Sequence, residues 1–203
     1  MSAPDKPPAL DPQTRRAIGG LAITQMVGWG TTFHMPAVLG MEAAAVVEAV
    51  GEGVSDVRPG QRVAYASPPP GSYAERRLMP ADRLVPLPDS IDDRQAAAMM
   101  LQGMTAQYLL RRTYRVQPGD AILVQAAAGG VGTILCQWGR YLGATVIGTV
   151  GSDAKAEIAR ANGCHHVINY AREAFAPRVR ELTGGEGVAV VYDGVGKTTF
   201  DGS

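Results

Sequence analysis

Between Ala121 and Ala161 the chain reads AILVQAAAGGVGTILCQWGRYLGATVIGTVGSDAKAEIARA. An apolar run ends in a cluster of small residues, resumes with helical spacing, and gives way to a second β-rich run. Set against the pattern G-x-G-x-x-G, the cluster keeps the second and third glycines as Gly129 and Gly132, with Ala127 in the first place. A residue without a side chain at Gly129 lets the backbone approach a pyrophosphate. Gly132 permits close helix–strand packing, and the free amides at the helix start face the anion. A G-x-x-G pair alone is a weak signal. Here it follows an apolar strand and opens a helix inside a βαβ unit, which is the context a dinucleotide-binding loop needs.

The alternation continues along the chain. After the turn sequence QPGD, strand Ala121–Ala126 leads to helix Gly130–Tyr141, and strand Thr145–Val150 to helix Asp153–Ala161. Strand His166–Asn169 leads to helix Glu173–Leu182, and a fourth strand is expected at Val188–Tyr192. Strands joined by single helices and short loops imply right-handed crossovers and a parallel sheet, here one half of a doubly wound fold.

The next strand end bears on which dinucleotide is bound. An NAD site usually presents Asp or Glu there to the ribose 2′-hydroxyl. This chain reads Val150-Gly151-Ser152-Asp153-Ala154-Lys155, with no acid at the strand tip. Ser152 can hydrogen-bond a 2′-phosphate, and Lys155, one turn into the helix, can neutralise it. Asp153 argues the other way, although helix starts often carry an acid. NADP(H) is the preferred cofactor; a plain solvated charge at Lys155 is the alternative.

Composition narrows the remaining choices. The 203 residues are 46% hydrophobic and 19% charged with a formal net charge of zero, which is ordinary globular composition and gives no footing for nucleic acid. Cys136 and Cys164 fall in different expected elements and read as two reduced, unpaired thiols of a cytoplasmic protein. Three histidines and no CxxC make a metal site, zinc included, unexpected.

The first part of the chain has a different texture. Residues 1–17 are Pro-rich and charged and read as a disordered tail. Residues 18–41 carry no Asp, Glu, Lys or Arg and are long enough to span a bilayer, with Arg15-Arg16 on the cytoplasmic side. The stretch RRAIGGLAITQMVGWGTTFHMPAVL resembles the first membrane helix of a major facilitator transporter, which implies membrane contact through residues 18–41. From Glu42 a β-type run, two Gly turns and a strand through Val63 follow, with short strands around Tyr73–Met79 and Leu84–Val85. A helix is expected over Asp92–Arg112, its stripe of Ala96, Met99, Met100, Met104, Tyr108 and Leu109 facing a core.

Several motifs converge on one family. GMEAAAVVEAVGEGVSDVRPGQRVAY, LQGMTAQYLL, AAAGGVG, QWGRYLGATVIGTVGSDAKA, GCHHVINY and VYDGVG together resemble the zinc-free, NADPH-dependent quinone oxidoreductases of the medium-chain dehydrogenase/reductase superfamily, from about Leu39 to Gly196. The resemblance implies an α/β fold. A partial antiparallel, GroES-like β region with its linking helix (42–112) would precede a partial Rossmann-type domain (113–203). It places Gly129, Gly130, Val131 and Gly132 at the pyrophosphate and Gly151, Ser152 and Lys155 at the 2′-phosphate, with Tyr170 beside the adenosine. Thr105 would lie near the nicotinamide, and Gly194 and Val195 near the central riboses. The implied reaction is hydride transfer from NADPH to a quinone or another conjugated carbonyl, with no catalytic side chain identified. Met41 stands where zinc-dependent relatives have His before the Glu, in keeping with a metal-free site, and Ala45 stands where the family has Gly.

Relative to that family the chain stops after the fourth strand, and the transporter-like segment replaces the opening strands. The expectation is therefore a truncated copy with impaired activity and an exposed edge at Val188–Tyr192. The alternatives are an enoyl reductase acting on an acyl thioester and a non-catalytic, membrane-anchored fragment; homo-oligomer formation stays open.

Overall fold

The computed structural model describes Ala22–Thr24 and residues 40–203. The chain forms two compact units, divided between Leu101 and Gln102.

The first unit holds an antiparallel sheet in the order β1-β2-β3-β4: β1 Ala22–Thr24, β2 Glu42–Ala49, β3 Arg62–Ala66 and β4 Val85–Pro86. Alternation along β2 explains its packing. Ala43, Ala45 and Val47 enter one core with Val63, Tyr65 and Met79. Ala44 points the other way and meets Ala64, Ala96 and Ala97. Ala45 is fully accommodated in this core. The Arg62 guanidinium donates to Asp93 Oδ1 (2.8 Å) and to the Ile91 carbonyl (2.6 Å), tying β3 to the start of helix α1, Asp93–Tyr108.

Three expectations change in this unit. Tyr73–Met79 is not a strand; it runs as bends, anchored by the buried Met79 and by Arg77, which stacks on the Tyr65 ring and donates to the Pro69 carbonyl (2.8 Å). Its apolar residues do not alternate inward, since Tyr73 and Leu78 are exposed. The expected stripe of α1, which runs on into the second unit, is core only in part: Ala96 is buried, and Met100 and Leu109 pack partly buried against core residues. Met99, Met104 and Tyr108 are exposed, and small residues (Ala96, Ala97, Ala106) make the buried contacts. Lastly, most of the expected membrane segment 18–41 lies outside the described residues, but the described piece, β1, is a strand paired antiparallel with β2 rather than part of a spanning helix. Among the described residues no helix is long and apolar enough to cross a membrane.

The second unit is a four-stranded parallel sheet in the order β7-β6-β5-β8: β5 Ala121–Val124, β6 Thr145–Val150, β7 His166–Asn169 and β8 Val190–Tyr192. Helices α2 Gly130–Tyr141, α3 Asp153–Ala161 and α4 Phe175–Leu182 make the crossovers. Alternation again divides the core. Ile122, Val124, Val146 and Val150 pack with Leu135 and Cys136 of α2, while Leu123, Ile147 and Ile168 pack with Val179 of α4. Strand β5 ends two residues early because Ala126 adopts φ 52°, a left-handed turn. Among the described residues strand β8 pairs with β5 alone and forms the sheet edge, as expected. The two cysteines, distant in sequence, are both free and buried, and their sulfurs lie 3.2 Å from each other.

Candidate functional site

The sheet order sets where a ligand can enter. From β5 the chain steps outward through β6 and β7, then returns to place β8 on the other side of β5. The carboxyl ends of β5 and β8 therefore diverge into loops that leave a crevice between them. A cavity of about 560 Å³ occupies that crevice.

Its floor is the glycine loop. The Ala126 carbonyl accepts the Gly129 N–H (2.8 Å) and points toward the first turn of α2. A β-carbon on Gly132 would be driven into that carbonyl oxygen, and one on Gly129 would sit 3.1 Å from it. Gly132 needs glycine for space, while at Gly129 the contact is tight but singular. Ser or Asp at the helix N-cap is replaced by Gly129, which makes no side-chain cap. The first amides of α2 are thus left to an external acceptor.

The opposite wall is built by Asp193. Its carboxylate accepts the N–H groups of Val195 (2.9 Å) and Gly196 (3.0 Å) and the hydroxyls of Thr199 (2.9 Å) and Ser203 (2.8 Å). Burial works against ionisation, but these donors outweigh it and hold the carboxyl below its ordinary value. Ser203 also accepts from the Gln125 amide (3.1 Å), and the Gln125 carbonyl takes the buried Thr149 hydroxyl. One hydrogen-bonded chain thus links the ends of β6, β5 and β8. Tyr192, just before Asp193, donates to the Leu109 carbonyl (3.3 Å). That carbonyl belongs to a π-helical turn, Leu109–Thr113, which takes up the last residues of the helix expected over Asp92–Arg112. Burial, with Tyr114 and Asp120 nearby, pushes the Tyr192 phenol up to about 12, so it stays a neutral donor.

Of the expected site residues, Thr105, Gly129, Val131, Gly132 and Gly194 line this one cavity. Val195 adjoins it through its N–H to Asp193. Gly130 faces elsewhere; a β-carbon there would strike the Gln102 side chain. The remaining four cluster at the ends of the next strands. Ser152 caps α3 by accepting the Lys155 N–H (3.4 Å), and a β-carbon on Gly151 would lie 2.6 Å from the Tyr170 hydroxyl. Asp153 is engaged by the Asn169 amide (3.1 Å) and by Arg172. Gln125, Ala126, Tyr192 and Asp193 were not anticipated. The signal for Asp193 was present in VYDGVG, where Asp before Gly is turn chemistry.

Comparison with known proteins agrees with this geometry. Residues 17–89 match the alcohol dehydrogenase GroES-like domain family, and residues 130–203 match the zinc-binding dehydrogenase family. The first match begins inside the segment read as transporter-like. The chain is 56% identical to a 2-haloacrylate reductase of a Burkholderia species over 83% of its own length and 51% of the relative. It is 52% identical to a quinone oxidoreductase of Pseudomonas aeruginosa over 83% of its length and 52% of that protein. The crystal structure of Escherichia coli quinone oxidoreductase complexed with NADPH superposes with a TM-score of 0.84 at 40% identity, covering 97% of this chain and 63% of that one. The chain thus spans about half the length of the curated relatives it matches.

Proposed function

We propose that this chain, which belongs to the medium-chain dehydrogenase/reductase superfamily, binds NADP(H) and carries the cofactor-binding part of a reductase for a quinone or other conjugated carbonyl. The observation that carries the reading is the cavity between the ends of β5 and β8, floored by a glycine loop in which Gly132 has no room for a side chain. The residues present fit an anionic dinucleotide. Gly129 and Gly132 open the backbone to the pyrophosphate, while Ser152 and Lys155 offer a hydroxyl and a cation to the 2′-phosphate. Gly151 leaves room for Tyr170 to lie beside the adenosine. Thr105 meets the nicotinamide end, and the Gly194–Val195 backbone, shaped by Asp193, meets the central riboses. When bound, the cofactor supplies the hydride, and the protein orients it and keeps water away.

Titration with NADPH, followed by cofactor fluorescence with NADH alongside, tests the reading. Saturable binding that prefers NADPH is expected, weakened about tenfold in Lys155→Ala, as the loss of one charge-assisted contact dictates. No binding by a folded chain would end the enzyme reading. Turnover of a quinone against an enoyl thioester then separates the two substrate classes, which share the cofactor site.

A further inference from the structure

Cys136 and Cys164 take no part in the cofactor reading, yet the fold brings them together. Cys136 sits on the inward face of α2, and Cys164 in the connection from α3 to β7. Each is held in place. The Cys164 N–H donates to the Ala159 carbonyl (3.1 Å), and a β-carbon on Gly148 of β6 would lie 2.6 Å from the Cys164 sulfur, so that glycine makes its room. Gly163, at φ +102°, passes directly over α2, where a β-carbon would meet the Cys136 carbonyl oxygen at 3.1 Å. The sulfurs are left 3.2 Å apart, and Cys136 also approaches the carbonyl of Ala127 in the glycine loop (3.9 Å).

We propose that Cys136 and Cys164 are a redox pair that a hydroperoxide converts to an intramolecular disulfide, cross-linking the glycine-loop helix to the connection before β7. The sulfurs need to close by only ~1.2 Å to reach disulfide length. Cys164 is the thiol that attacks the peroxide, because it keeps 5% of its surface exposed and Cys136 keeps 0%. The thiol contact pushes Cys136 up and holds Cys164 below its ordinary value, burial adding to the first effect and opposing the second. The Cys164 thiolate attacks one peroxide oxygen, the O–O bond breaks, and the departing hydroxide takes up the proton the thiol released, giving a sulfenic acid and water. The Cys136 sulfur then attacks the sulfenic sulfur, the S–S bond forms, and the hydroxyl leaves as a second water. Two thiols are oxidised by two electrons, and one hydrogen peroxide is reduced.

The test treats the full chain with hydrogen peroxide, quenches it, and alkylates it under denaturing conditions. The expected product is lighter by two hydrogen atoms, resists alkylation at both cysteines, yields a linked Cys136–Cys164 peptide, and reverts with dithiothreitol. Its melting temperature rises, because the bond closes a loop between residues 28 apart in sequence. In Cys136→Ser the remaining cysteine gains oxygen instead of losing hydrogen. Two alkylatable cysteines after treatment, oxygen added to both without a cross-link, or disulfides only between chains would each overturn the proposal. These readouts do not involve the cofactor, so they stand or fall apart from the NADP(H) reading.

Discussion

A methyl group at Gly132 has nowhere to go, because the Ala126 carbonyl and the Ala127 backbone already fill the space on that side. Gly132→Ala is therefore expected to cost about 1–3 kcal/mol in a urea melt, the range for forcing atoms into a packed site. Gly129→Ala meets only one contact at 3.1 Å and should stay within about 1 kcal/mol of the parent. On the proposed reading, NADPH binding, measured by fluorescence, should be lost in Gly129→Ala, whose methyl would stand where the backbone would meet the pyrophosphate. Asp193 belongs to the same scale. Its carboxyl is held below the unfolded value, so its contribution is present above about pH 4 and is lost as the pH falls through the folded value. In Asp193→Asn this contribution is missing. Urea midpoints of parent and variant should differ at pH 7 and converge on acidification.

At the level of elements, local signals carried far in the second unit. Helices over Gly130–Tyr141 and Asp153–Ala161 and strands over Thr145–Val150 and His166–Asn169 stand where periodicity and turn residues placed them. Each is long enough, or bounded sharply enough, for its own period to declare it. The first unit was less legible. Tyr73–Met79 pairs with no strand among the described residues and runs as bends, and α1 buries its alanines more deeply than its methionines. The π turn after α1 had no local signal; it exists where the Leu109 carbonyl is taken by the Tyr114 N–H (3.2 Å) and the distant Tyr192 hydroxyl. Tyr192→Phe removes the second partner. It should lower stability by about 1 kcal/mol, the net worth of one such bond, measurable by urea denaturation.

On the scale of the whole molecule, β8 has a strand partner on one side only among the described residues. An open edge with Val190 and Val191 half-buried invites pairing with a second copy. Sedimentation velocity should show association of the 203-residue chain that grows with concentration, and Val191→Lys should suppress it. By itself the sequence determined the βαβ alternation, the glycine loop and the polar residues at the end of β6, because each is written in residues close together along the chain. Only the tertiary structure decided that β8 lies beside β5, which brings Asp193 and Gly194 opposite Gly129. The same strand order sets Cys164 against Cys136. Pairings between distant segments depend on which packed arrangement buries the two faces of the sheet together, and no local period encodes that.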